Sequence, residues 1–223
     1  MLEPTLWSAG SFRKKLAFCS RCFILQSMKC FPLFLALAVF ALVPAGFGDV
    51  PQPGKGLNSA TVLIIRHAED PDSGTGLSPT GQQRAVAYVK YFKTFTIDSS
   101  PIRIAALYAA ADSSASRRSR LTLQPLSQSL GIAISATFKD EKYAGLAAAI
   151  RTRPAGQTMI ICWHRETIPG LVQALGGDPK QLFPDGLWPH GVFNGTIVLR
   201  YDKVGKLIDA SYRKQNLMLG DSK

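Results

Sequence analysis

The stretch TVLIIRHAE, residues 61–69, decides the fold: five β-branched or aliphatic residues run without interruption into Arg66-His67. A half-buried strand alternates apolar and polar side chains, so an unbroken run such as Thr61 to Ile65 marks a strand covered on both faces. Strands of that kind belong to parallel sheets sandwiched by helices, and the flanking sequence supplies the helices. Ser78-Pro79 offers an N-cap and a first-turn proline for a helix reaching about Phe92. Ile104 to Ala110 reads as the next strand, and Ser114 to Leu130, closed by Gly131, as the next helix. Asp140 to Arg151 is predicted helical, Thr158 to Trp163 (TMIICW) a buried strand, and Thr167 to Leu175 a helix stopped at Gly176-Gly177. Thr196 to Tyr201 and Lys206 to Tyr212 flank a turn at Lys203-Val204-Gly205 and read as a closing hairpin at the sheet edge. This alternation predicts an α/β fold, a three-layer α/β/α sandwich around a mostly parallel sheet.

Upstream the composition changes. Residues 1–48 carry five basic side chains (Arg13, Lys14, Lys15, Arg21, Lys29) and one acid, Glu3, and Phe31 to Gly48 has no charge at all. A basic flank, a short apolar core and a small-residue exit are the parts of a secretory signal. Met28-Lys29 stands directly before the core and is read as the true start. The strongly apolar stretch from Leu33 to Val43 is shorter than the ~20 residues a spanning helix needs, which favours a cleaved signal over a retained anchor. The expected organisation is therefore a signal segment at 1–48, a flexible lead-in at 49–59 and one folded domain at 60–223. The protein is expected to be exported, with membrane contact only through that N-terminal segment if it stays uncleaved. Three of the four cysteines, Cys19, Cys22 and Cys30, lie in the leader, so the body retains Cys162 alone and no internal disulfide.

The whole chain has a formal net charge of +11, of which +4 falls in residues 1–48 and +7 in the remainder. Such a balance invites a nucleic-acid reading, but no recognition motif and no basic stripe with interleaved aromatics supports one. The charges that matter cluster at strand ends. In α/β sheets, ligands collect at the carboxyl ends of the strands. His67 follows Arg66 at the end of one strand, His164 ends another, and Arg117, Arg118 and Arg120 open the helix between them. Two imidazoles and one or two guanidiniums at one sheet edge make an anion site, and the planar donor fork of arginine suits phosphate. Two histidines are too few ligands for a metal, and HExxH and paired CxxC motifs are missing, as are a GxSxG elbow and a P-loop. His190 in LWPHGVFNGT reads as a solvated loop residue, and Asn194-Gly195-Thr196 fits a glycosylation acceptor.

Four segments in this order resemble a known family. LIIRHAE at 63–69 looks like the Arg-His-Gly motif of the histidine phosphatase superfamily, with Ala68 in place of the glycine. GLSPTGQQRA at 76–85 is similar to the helix-opening segment that follows it, and SASRRSRLTLQPL at 114–126 resembles the Ser-x-x-x-Arg-x-x-x-Thr helix, placing Ser114, Arg118 and Thr122 on the motif. CWHRETIPGLVQALG at 162–176 resembles the later strand-His-helix segment, although Arg165 stands where the family often has a small residue. The match runs from about 61 to 212, and the spacing of 97 positions from His67 to His164 is similar to that of small, lid-poor members.

The resemblance implies a phosphoglycerate mutase-like fold and a phosphatase acting on a small phosphorylated substrate, with no metal or cofactor. It implies that His67 is the nucleophile and that Arg66, Arg118 and His164 hold the non-bridging oxygens. A hydrogen bond from Nδ1 of His67 to a nearby carbonyl would fix the tautomer that attacks. The general acid has three candidates. Glu141 and Asp140, 74 and 73 residues beyond His67, fit the position used in one branch of the family. Glu166, two residues after His164, loosely fits that of the other.

Overall fold

A computed structural model describes residues 55–221. The expected signal segment, its alternative start at Met28 and the leader cysteines lie outside the described residues. Eight strands and five α-helices follow in the order β1 (Thr61–Arg66), α1 (Pro79–Lys93), β2 (Thr96–Ile97), β3 (Ser100–Pro101), β4 (Ile104–Ala109), α2 (Arg118–Leu130), β5 (Ile134–Ser135), α3 (Tyr143–Arg151), β6 (Thr158–Trp163), α4 (Ile168–Ala174), α5 (Pro179–Leu182), β7 (Gly195–Tyr201) and β8 (Leu207–Lys214). Six strands form the main sheet in the order β5-β4-β6-β1-β7-β8. The β5-β4, β4-β6 and β6-β1 pairings are parallel, and β7 and β8 close the sheet as the antiparallel hairpin read from the sequence.

The uninterrupted apolar run of β1 follows from its central position. Val62 and Ile64 point into one core, with Tyr108, Met159, Ile161 and Trp163. Leu63 and Ile65 point into the other, with Leu107, Ile160, Cys162 and Val198. Neither face meets water, so neither can be polar. The first core is covered by α3 and α4 through Leu146, Ile150, Ile168, Leu171 and Val172. The second is covered by α1 and α2 through Tyr88, Phe92, Leu123 and Leu126. Two helical layers on a mostly parallel sheet give the three-layer α/β/α sandwich.

Helix boundaries depart from expectation where side chains compete for the backbone. The helix predicted from Ser114 starts only at Arg118. Ser113 Oγ accepts the amides of Ala115 and Ser116 at 3.2 and 3.0 Å, and Ser116 Oγ accepts that of Arg118 at 3.3 Å. These serines hold 113–117 as a turn in place of a helix. Gly131 ends α2 in the left-handed conformation, φ 67°. The segment predicted helical from Asp140 begins as a 3-10 turn, Asp140–Lys142, before α3. Residues 55–59, expected within a flexible lead-in, are in fact packed. Leu57 is buried, the Gly56 amide donates to Arg151 O at 3.1 Å, and a Cβ on Gly56 would overlap Ile150 O.

Candidate active site

The parallel β1-β6 register sets Arg66 against Trp163, so the next residue of each strand, His67 and His164, leaves the sheet at one edge. The His67 amide still donates to Trp163 O at 3.1 Å, carrying the pairing one residue past the strand. The two imidazoles meet with ring centroids 5.0 Å apart at an interplanar angle of 61°. Adjacent β4 ends at the same edge, where the Ala110 amide donates to Cys162 O, and the chain turns there into α2, which begins with Arg118.

His67 is 3% exposed, and its Nδ1 lies 2.8 Å from Ala68 O. Paired with a carbonyl, Nδ1 carries the proton and Nε2 is left with a free lone pair. The residue that carries this carbonyl is itself held. Ala68 N donates to Thr122 Oγ1 at 2.9 Å, and the same hydroxyl donates to Arg118 O at 2.8 Å. Thr122 therefore ties the loop after β1 to the first turn of α2, which connects His67 to the arginine-bearing helix. Burial pushes the His67 imidazole down to about 4, against the raising effect of Ala68 O, with His164 adding to the lowering. Burial also lowers His164. Both rings are therefore neutral at neutral pH.

Arg66 is 7% exposed, and its guanidinium lies over the Phe193 ring, 3.9 Å from the centroid. Its Nε and Nη1 are buried and meet no acceptor among the described residues. A buried guanidinium with unsatisfied donors, held flat by an aromatic ring, is a socket for an oxyanion. Desolvation lowers its pKa, but a guanidinium stays charged at any ordinary pH. Arg118 turns its Nε towards Asp70, with Oδ1 at 2.8 Å. The contact lacks hydrogen-bond alignment, so it is an ion pair without a directed bond.

The three proposed acids separate on geometry. Asp140 is half-buried, and its carbonyl accepts the Trp163 indole N–H at 3.1 Å, which pins it beside the residue preceding His164. Its carboxylate is the foremost charge acting on His164. Glu141 is exposed, and its own amide together with Asp140 holds its carboxyl below the usual range. Glu166 is exposed and bonded to Arg165 Nε and Nη2 at 3.0 and 2.8 Å. Partial burial opposes its ionisation, but its own amide and Arg165 outweigh that and lower its pKa. Half-burial beside Trp163 and its action on His164 make Asp140 the best placed of the three.

Several residues play other parts than the sequence suggests. Arg117 Nε donates to Thr75 Oγ1 at 3.2 Å, and Arg120 pairs with Asp112 Oδ2 at 2.7 Å, so both are engaged away from the histidines. Ser114 is exposed, whereas Ser116 and Ser119 are buried. His190 is exposed. Asn194 is 5% exposed and donates its side-chain amide to Gln215 O at 2.8 Å, so the acceptor pattern there is buried in the fold.

Three groups were not foreseen. Phe193 reaches Arg66 from the far side of the sequence, and no motif marks it. Asp70 stands in the same loop as His67, where a search for carboxylates confined to the downstream segments passes over it. Arg84, 5% exposed, bonds Glu69 Oε1 through Nε and Nη2 at 2.8 and 2.6 Å and Asp221 through Nη1 and Nη2 at 2.9 and 2.8 Å. Asp221 in turn accepts the amides of Leu217 and Met218 at 3.0 Å. The helix α1 can approach this loop because Gly81 has no side chain, since a Cβ there would stand 2.6 Å from Glu69 O.

Among the described residues, no cluster of three or more His, Cys, Asp or Glu side chains is arranged to hold a metal ion. No helix there is long and apolar enough to cross a membrane. No family model matches the chain, and no curated protein matches it. Among solved structures, a protein from Agrobacterium tumefaciens named for the phosphohistidine phosphatase SixA is similar at 22% identity, covering 67% of this chain and 96% of that one with a TM-score of 0.43. The protein histidine phosphatase SixA complexed with tungstate is 16% identical, covering 67% and 95%, with a TM-score of 0.44. A mycobacterial glucosyl-3-phosphoglycerate phosphatase is 14% identical, covering 70% and 98%, with a TM-score of 0.41.

Proposed function

We propose that the protein is a phosphatase, independent of metal, that hydrolyses a small phosphorylated substrate through a phosphohistidine on His67. The observation carrying this reading is a buried neutral imidazole whose Nδ1 faces Ala68 O, edge-on to a second neutral imidazole and beside the unsatisfied donors of Arg66. Nε2 of His67 attacks phosphorus in line, the P–N bond forms and the bond to the leaving oxygen breaks. Arg66, Arg118 and His164 take the non-bridging oxygens, supplying positive charge and donors as the phosphoryl group moves. The imidazolium that results keeps its Nδ1 proton on Ala68 O. Asp140 gives its proton to the leaving oxygen. Water then attacks phosphorus, its proton passes to the Asp140 carboxylate, and the P–N bond breaks to release phosphate and neutral His67.

The test is hydrolysis of p-nitrophenyl phosphate in the presence of EDTA by the chain beginning at Asp49. Turnover abolished by His67→Ala, with acid-labile phosphate trapped on His67 in the wild type, is the expected result. A panel of phosphorylated metabolites and phosphopeptides, phosphohistidine among them, ranks the substrates. Binding of phosphate without turnover supports instead a non-catalytic phosphate-binding protein on the same fold. Export of the chain by residues 1–48 belongs to the same proposal. N-terminal sequencing of protein recovered outside the cytoplasm tests it.

A further inference from the structure

Asp70 places a carboxylate among the groups assigned above to phosphate. Its Oδ1 is 2.8 Å from Arg118 Nε and 3.4 Å from His67 Nδ1, and its Oδ2 is 3.8 Å from Arg66 Nη2. The floor of the pocket is recessed, with the Arg66, His67 and Arg118 side chains 8%, 4% and 18% exposed, whereas the Asp70 side chain is 46% exposed. The carboxylate thus sits on the solvent side of the arginines, on a short side chain free to turn outward about its own χ1.

We infer that Asp70 is an internal competitor for the anion pocket, a carboxylate that a phosphoryl group must displace from Arg118 and Arg66. The inference rests on the phosphatase reading of that pocket. Two guanidiniums balanced by one carboxylate leave a single net positive charge, too little for a phosphate dianion. With Asp70 turned away, the pair carries the two charges that match it. None of its contacts reaches the inner donors of Arg66, Nε and Nη1, which remain unpaired. Asp70 therefore weakens retention of the inorganic phosphate product without filling the place where phosphorus reacts. It also keeps two neighbouring guanidiniums from repelling each other in the free protein.

The experiment is calorimetric titration of inorganic phosphate into the wild type, Asp70→Asn, Asp70→Ala and Asp72→Asn. Asp72 is an exposed residue of the same loop and controls for the change in net charge. The expected outcome is phosphate binding at least tenfold tighter in both Asp70 variants, about 1.4 kcal/mol, with Asp72→Asn within twofold of the wild type. Unchanged or weaker binding in both Asp70 variants, with the wild type still turning over p-nitrophenyl phosphate, overturns the role of Asp70 and leaves the phosphatase reading standing. Phosphate binding by none of the four proteins, together with no turnover, removes the anion pocket and both readings with it.

Discussion

Replacing Thr122 by valine removes one hydroxyl and nothing else of consequence in volume, yet that hydroxyl holds two elements together. Thr122 is fully buried, accepts the Ala68 amide at 2.9 Å and donates to Arg118 O at 2.8 Å. In Thr122→Val the Ala68 amide, in a residue that is also fully buried, loses its acceptor and no water reaches it. An unsatisfied buried donor costs about 1–3 kcal/mol, and the Arg118 carbonyl, still bonded within its helix, adds little. For a domain of this size about 2 kcal/mol corresponds to roughly 4–8 °C in Tm. Scanning calorimetry measures the shift, and amide exchange at Ala68, protected in the wild type, is expected to accelerate in the variant. Thr122→Ser keeps the bond and loses only a methyl group, so its Ala68 amide stays protected. A Thr122→Val protein as stable as the wild type, or equal exchange at Ala68 in the two variants, would refute the claim that this hydroxyl fixes the loop carrying His67.

Three further outcomes follow from other parts of the molecule. A proton NMR titration of the His67 ring is expected to show a midpoint near 4, and a midpoint at 6.5 would contradict the burial argument. Because the folded pKa lies below the unfolded one, this group's contribution to stability is complete above about 6.5 and is lost as pH falls from there towards 4. Arg84→Ala strands Glu69 and Asp221 without their shared cation, and equilibrium unfolding in urea should register a loss of about 3–5 kcal/mol. Arg117→Ala, an exposed position, should cost less than about 0.5 kcal/mol in the same assay, and equal losses would show that the buried triad does nothing special. The Cys162 thiol is fully buried and burial pushes its pKa up, so Ellman's reagent should modify it only on unfolding. Rapid labelling of the folded protein would place it elsewhere.

The sequence alone determined five of the six strands of the sheet, because the physics there is local and redundant, whereas the two-residue edge strand β5 gives no such signal. TVLII and TMIICW have no polar face to offer, so they had to be interior strands, and the caps at Ser78 and Gly131 could be read from residue type. Ser78 Oγ accepts the Gly81 amide at 3.0 Å, as its identity implied. The parallel pairing of β1 and β6 was enough to set Arg66, His67 and His164 at one edge, so the core of the site was legible too. Where the helix of Arg118 begins was not, because serine hydroxyls and helix propensity compete for the same amides and only the resulting turn shows which prevails.

Tertiary structure decided everything that depends on where a side chain ends. Asp140, Glu141 and Glu166 are equivalent carboxylates in the sequence, and only packing made one of them half-buried beside Trp163 and left the others exposed to water or paired with Arg165. Arg117, Arg118 and Arg120 share one short segment, yet helical rotation sends only Arg118 to Asp70 and turns its neighbours to Thr75 and Asp112. Phe193 under Arg66 and Asp221 on Arg84 are contacts across 127 and 137 residues, invisible to any reading of spacing. A strand advertises itself by period and composition over five or six residues. A single contact between distant side chains has no such redundancy, and exists only once the sheet and its two helical layers have brought the partners together.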